Sequence, residues 1–172
     1  MNVKFFDLKG KKIIITGGAS GIGSSIVEKF CEQDSDVNFI DIDKEKANEL
    51  INKIKAKNLK APKFYYCDVL NIKKLQSTIE EISDLDVLIN NAGNDNRHTI
   101  DDITEEYLNN RLNLNLKHYF FAAQAAKKLM TKKKSGSIIN LSSVSWIRAA
   151  NQFSIYASSK SAIIGLTRSL AK

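Results

Sequence analysis

The feature that most constrains this chain is a strict alternation of short, continuous apolar runs with longer stretches of helical period. Lys11 to Thr16 carries three consecutive β-branched residues, Ile13, Ile14 and Ile15, and ends in glycines, as a buried strand does. Gly21 to Gln33 follows as a helix with Ile22, Ile26, Val27 and Phe30 on one face. Val37 to Ile40 is a second strand closed by Asp41, and Lys44 to Lys57 a helix with Ala47, Leu50, Ile51 and Ile54 inward. Phe64 to Cys67, entered through Pro62, is a third strand, and Ile72 to Ile82 a third helix. Val87 to Ile89 and Ser137 to Leu141 complete five strands. A long helix is predicted from Thr104 through Leu129, with Glu106 near its start where an acid suits the dipole, and a last helix from Tyr156 to Leu170.

Strands that are apolar throughout need both faces covered, so the sheet is expected to be parallel with helices on both sides. Right-handed crossovers then give an α/β, doubly wound, Rossmann-type arrangement whose ligands sit beyond the carboxyl ends of the strands. With no linker and no repeat beyond the β-α unit, residues 1–172 are expected to form one domain.

Composition bounds the partners. A chain of 172 residues that is 43% hydrophobic and 26% charged can build a core and is not a disordered polymer. Cys31 and Cys67 are too few for a disulfide scaffold or a four-thiolate zinc site and read as buried, reduced thiols, which suits the cytoplasm. The excess of 26 Lys and Arg over 19 Asp and Glu gives +7, but only Arg97, Arg111, Arg148 and Arg168 are arginines. The dense runs Lys53 to Lys63 and Lys127 to Lys134 are broken by apolar residues at helical spacing, so they are solvated helix faces, not a nucleic-acid surface. No run approaches the roughly 18 apolar residues of a membrane span, and the start does not suit a signal peptide.

The chemistry gathers at the strand ends. Gly17, Ser20, Gly21, Ile22 and Gly23 follow the first strand and open a helix, which sets free N–H groups and a positive dipole end toward a pyrophosphate. Asp41 lies 18 residues after Gly23, close to the spacing of an acid that accepts hydrogen bonds from the adenosine ribose and repels a 2′-phosphate. Nothing basic neighbours it, so NAD is expected over NADP. Asp43 reads as a helix N-cap, and Asp68-Val69 falls where an adenine edge would lie. Tyr156 and Lys160 stand four apart on one helix face, where an ammonium is expected to lower the phenol pKa toward a working acid/base. Ser142 and Ser143 emerge at the same sheet edge from the fifth strand.

Thr16-Gly17, Gly21, Gly23, Asp68-Val69, Asn90-Asn91-Ala92-Gly93, Asn115, Ser143 and Tyr156 with Lys160 together resemble the short-chain dehydrogenase/reductase family, in order and from about Leu8 to the last residue. The resemblance implies that Tyr156 is the acid/base and that Lys160 lowers its pKa and binds the nicotinamide ribose. Ser143, 13 residues before Tyr156, would hold the reacting oxygen, with Ser142 structural. Asn115 would be the helix-kink asparagine that holds a relay water, favoured over Asn113 by the following Leu and Phe, and Asn91 would join the cofactor contacts. The resemblance also implies a homo-tetramer or dimer through the long helix and the tyrosine helix. Members of the family continue with further strands and a substrate-covering segment, so the chain is expected to be C-terminally incomplete, with its fifth strand an exposed edge.

A narrower resemblance, carried by Asn91 to His98, Asn115 to Gln124 and Ser145-Trp146, is to NAD-dependent aldose 1-dehydrogenases of the D-xylose kind. It makes Asn94, Arg97, His98 and Trp146 candidates for holding a sugar. The alternative is that Arg97 and His98 cap a helix or pair with Asp101, while His118 reads as packing. The implied reaction takes a proton from the C1 hydroxyl to Tyr156 and a hydride from C1 to NAD, giving a lactone without a catalytic metal. Two other readings stand beside it: a truncated, non-catalytic nucleotide-binding or assembly remnant, and a reductase of a 3-oxoacyl or steroid-type carbonyl.

Overall fold

The computed structural model describes residues 3–149 and 151–171. Strands β1 (Lys12–Thr16), β2 (Asp36–Asp41), β3 (Lys63–Tyr66), β4 (Val87–Asn90) and β5 (Ser137–Asn140) form a sheet of order β3-β2-β1-β4-β5, parallel at every pairing. The order reverses between β1 and β4, which opens a crevice at the carboxyl ends of those two strands.

The middle strand explains the layering. Ile13, Ile14 and Ile15 are fully buried, because β1 has a neighbour on each side and helices above and below. Successive side chains point to opposite faces. Ile13 and Ile15 pack with Val27 and Cys31 of α1 (Gly21–Glu32) and Leu50 and Ile54 of α2 (Lys44–Ala56). Ile14 packs with Leu75 and Ile79 of α3 (Ile72–Glu80) and Ala122 and Ala126 of α5 (His118–Lys133). Burial of each isoleucine contributes about 1.5–3 kcal/mol, enough to decide the register of the sheet. A smaller cluster of Tyr119, Ile163 and Leu166 joins α5 to α6 (Ser154–Leu170).

Side-chain caps start the helices where the sequence places them. Asp43 accepts from the Lys46 amide at 3.0 Å, and Asn71 does the same for Lys74 at 3.1 Å. Thr104 accepts from the Tyr107 amide at 3.1 Å, and Glu105 and Glu106 occupy the first turn of α4 (Glu105–Leu112). The predicted long helix differs from the observed one. It is interrupted at Asn113–Lys117 by a π-turn and continues through α5 to Lys133. The cause is Asn115, fully buried, whose side chain accepts from the Asn94 amide at 2.8 Å and donates to the Asn94 carbonyl at 3.0 Å. Admitting one extra residue to the turn brings that amide onto the backbone of the loop after β4.

The Lys-rich stretches lie on exposed faces, where Lys53 and Lys57 both pair with Glu28. Cys31 and Cys67 are buried, and loss of water pushes the Cys31 thiol up to about 12. β5 is an edge strand, with Ile139 46% exposed. Among the described residues no helix is long and apolar enough to cross a membrane.

His118 sits at the start of α5, completely buried against the Tyr119 ring at 4.5 Å between centroids. Neither of its ring nitrogens has a well-aligned partner among the described residues. Burial first, and the nearby Lys160 charge second, push its pKa down to about 3, against a weaker pull from the Leu114 carbonyl. The unfolded chain takes up a proton on this residue below about pH 6.5, the folded chain only near pH 3, so stability falls as pH drops through that window. Urea unfolding at a series of pH values is expected to show His118→Leu gaining on the wild type as the solution is acidified. A constant difference between the two proteins would contradict this.

Candidate active site

β1 ends at Thr16 and turns into α1 through glycines whose space is used elsewhere. Gly17 has φ +67°, and a Cβ there would stand 2.8 Å from Ala92 Cα. A Cβ on Gly23 would overlap the Gly17 carbonyl oxygen, so the first turn of α1 can close on the strand only without one. The turn is tied to β4 from below. Thr16 Oγ1 accepts from the Asn91 and Ala92 amides, both at 3.1 Å, and Asn91 Nδ2 donates to the carbonyls of Thr16 (3.0 Å) and Gly17 (2.8 Å).

At the end of β2, the Asp41 carboxylate accepts from three backbone amides: Ile42 at 2.7 Å, Ala19 at 2.9 Å and Asp43 at 3.1 Å. It is fixed in direction and also holds the glycine turn. Asp68, after β3, accepts from the Leu70 amide at 2.9 Å. Gly17, Ser20, Gly21, Ile22, Gly23, Asp41, Asp68, Val69 and Asn91 all line one cleft of about 520 Å³, whose far end is formed by Tyr156 and Lys160. The residues present fit an extended dinucleotide: a carboxylate near one end, a helix N-terminus in the middle, and a phenol and ammonium at the other end. Gly21 has nothing within 4 Å of where a Cβ would stand, so the loop is open where phosphates would approach. A larger groove of about 810 Å³ beside α4 carries Glu105 and Glu106 and none of these strand-end residues.

α6 presents Tyr156 and Lys160 one turn apart. Lys160 is 3% exposed and donates to Tyr119 Oη at 2.8 Å and to the Leu141 carbonyl at 2.9 Å, with its Nζ 5.6 Å from the Tyr156 ring centroid. Loss of water lowers its pKa to about 8. The Tyr156 phenol is raised above its ordinary value, chiefly by burial, with the Ser143 hydroxyl pulling it down and the Asp95 charge pushing it further up. The expected depression by Lys160 is therefore not what this arrangement produces. The ammonium is directed at the oxygens of Tyr119 and Leu141, and burial dominates at the phenol. Ser142 serves the scaffold, donating to the Lys160 carbonyl at 2.6 Å. Asn115 is spent on the Asn94 backbone and does not itself line the cleft.

The substrate candidates divide. Asn94 lines the cleft, and so does Asp95, which no motif in the sequence singles out. Arg97, His98 and Trp146 do not line it. Arg97 lies 5.2 Å from the Phe153 ring centroid, and Trp146 is 42% exposed in the turns after Ser143. His98 is buried, with Nε2 3.0 Å from Ser154 Oγ and receiving the Ile155 amide at 3.4 Å. That assigns the ring proton to Nδ1, which faces the Asn96 carbonyl at 3.3 Å. His98 thus caps α6, as the alternative reading had it, and among the described residues neither it nor Arg97 pairs with Asp101. Tyr119 is not singled out by the sequence either, since a tyrosine in an apolar helical run reads as core. The signal for it is its hydroxyl, since a tyrosine buried in an apolar run needs a partner for that oxygen.

A doubly wound sheet with a glycine turn on its first strand, an acid on its second and a cleft at the switch point defines a Rossmann-type fold. Residues 11–172 match the family model of the short chain dehydrogenases, and the chain belongs to the short-chain dehydrogenase/reductase family. It is 39% identical over 165 residues to the D-xylose 1-dehydrogenase of Caulobacter vibrioides, which covers 96% of this chain and 66% of that protein. The aldohexose dehydrogenase of Thermoplasma acidophilum superposes with a TM-score of 0.84 at 31% identity, over 97% of this chain and 62% of that one. A short chain dehydrogenase from Mycobacterium smegmatis superposes with a TM-score of 0.88 at 29% identity, over 95% and 71%. The chain thus spans 66% of the length of the D-xylose enzyme it matches.

Gly23→Ala is expected to cost about 1–3 kcal/mol by overpacking the turn. It should also weaken NADH binding by at least tenfold, because the first turn of α1 must back away from β1. A thermal melt and a nicotinamide fluorescence titration check the two effects, and an unchanged affinity would show that this turn does not hold the dinucleotide.

Proposed function

We propose that the chain belongs to an NAD-dependent oxidoreductase acting on a secondary alcohol, with the C1 hydroxyl of an aldose as substrate and a lactone as product. The observation that carries the reading is a single cleft lined by Asp41, Tyr156 and Lys160, with the Ser143 hydroxyl hydrogen-bonded to the Tyr156 phenol. The similarity to a D-xylose and an aldohexose dehydrogenase supports a sugar over other alcohols.

NAD, when bound, supplies the acceptor for the hydride released from C1. Ser143 donates a hydrogen bond to the reacting oxygen, and Tyr156, as phenolate, takes the hydroxyl proton as the carbonyl forms. Lys160 sets a positive charge beside the phenol and reaches the ribose side of the cleft. Asp41 accepts from the adenosine ribose hydroxyls and disfavours a 2′-phosphate, which selects NAD over NADP. Asn115, through Asn94, holds the loop that forms the substrate side. Phe120 on α5 and Ile164 on α6, exposed at 49% and 41%, are apolar residues that a homo-oligomer formed through those helices would cover.

The protonation state that each direction of reaction needs fixes the sign of the pH dependence, and the raised phenol pKa moves the change toward alkaline solution. Oxidation needs the deprotonated phenol, so its kcat/KM rises as the solution is made alkaline, whereas carbonyl reduction needs the protonated phenol and falls over the same range. NADH formation across a panel of aldoses tests the reading. Tyr156→Phe is expected to lower turnover by about 10²–10⁴-fold on the best sugar. Normal NADH production by that variant would remove Tyr156 from the mechanism, and no turnover with any aldose would remove the sugar.

A further inference from the structure

We propose that Tyr119 is a positioning residue for Lys160: its phenol oxygen holds the ammonium at the wall of the cleft and ties it to the end of β5. The inference rests on the dehydrogenase reading for its consequence, and on contacts within this chain for its substance.

Lys160 is an unusual lysine. It is almost fully buried, and among the described residues no carboxylate pairs with it. A buried ammonium without acceptors is expensive, and here two of its three N–H groups are satisfied by neutral oxygens, Tyr119 Oη and the Leu141 carbonyl. Tyr119 is itself fully buried, and its hydroxyl donates to the same Leu141 carbonyl at 3.2 Å. The hydroxyl's single proton is therefore committed to Leu141, which leaves its lone pair for the ammonium. Three elements meet in this triangle: α5 through Tyr119, α6 through Lys160, and the end of β5 through Leu141, two residues before Ser143. The third N–H is left for the cleft. Gly93 lies beside it, where a Cβ would stand 3.6 Å from Nζ, an ordinary contact.

The ionisable groups around the pair come from each packed element. His118 of α5 is neutral at working pH and lies near Lys160. Tyr156 of α6 faces Lys160 with its ring, and Asp95, after β4, acts on Tyr156. The Tyr119 phenol is held protonated by burial and by the Tyr156 oxygen near it. An acceptor that cannot ionise stabilises the charged lysine without neutralising it, which leaves the positive charge available at the cleft.

Selective ¹³C-lysine labelling with NMR titration tests this on the chain alone, with the Lys160 signal assigned from Lys160→Met. Tyr119→Phe removes one oxygen from a fully packed site and is expected to lower the Lys160 pKa by about one unit. It should also weaken NADH binding about three- to tenfold. Tyr119→Met, which lacks the hydroxyl too, carries the same comparison if the phenylalanine variant does not fold. A Lys160 titration that is unchanged in a folded variant overturns the proposal. A wild-type protein that binds no NADH would instead overturn the dinucleotide reading, and the Lys160 titration would still judge the role of Tyr119.

Discussion

The tie between Thr16 and Asn91 is the contact on which the rest of the site depends. A parallel sheet gives two adjacent strands no reason to keep their carboxyl ends level once pairing stops. Here the Thr16 hydroxyl accepts two amides from the start of the loop after β4, and the Asn91 side chain returns two hydrogen bonds to the glycine turn. Four bonds thus span the point where the sheet order reverses. Because they join backbone to side chain in both directions, they fix the glycine turn to Asn91 and Ala92, where the loop after β4 begins. Asp41 continues the same frame on the other side by accepting from Ala19.

From that frame the cleft acquires its two differently built ends. Near Asp41 a carboxylate is held by three amides, which suits hydrogen bonding to neutral hydroxyls. Near Tyr156 a buried ammonium is held by neutral oxygens, and a half-buried phenol is pushed toward its protonated form. The two ends thus differ in the groups they offer, although Asp95 adds a carboxylate on the phenol side. The chemistry at the phenol end depends on burial as much as on the lysine, which is why the phenol moves up where the residue spacing suggested that it move down.

Much of this was legible in the residues. The run of three isoleucines, the glycines after it and the acid closing the second strand predict the sheet, the turn and the cleft, because each follows from local sterics or periodicity. Asp43 and Thr104 mark their helix starts for the same reason. What periodicity does not carry is contact between distant segments. The π-turn at Asn115 arises from bonds to Asn94, 21 residues away, and nothing in the helical pattern around it announces the extra residue. His98 looks like a ligand because it follows a strand end, yet its partner is the start of α6, 56 residues on. Tyr119 looks like core, and it is core, but its one polar atom lies 41 residues in sequence from the lysine that uses it.

The π-turn has a further consequence for the helix that follows it. A residue inserted into an α-helix turns everything beyond it by about 100° about the axis. Asn113–Lys117 therefore sets the angular phase of α5 relative to α4, and with it the direction in which Tyr119 points. Without that residue α5 would present a different face to α6, and the phenol would swing away from Lys160. The irregular turn acts as the gearing between the loop after β4, which Asn115 holds, and the helix whose Tyr119 meets Lys160.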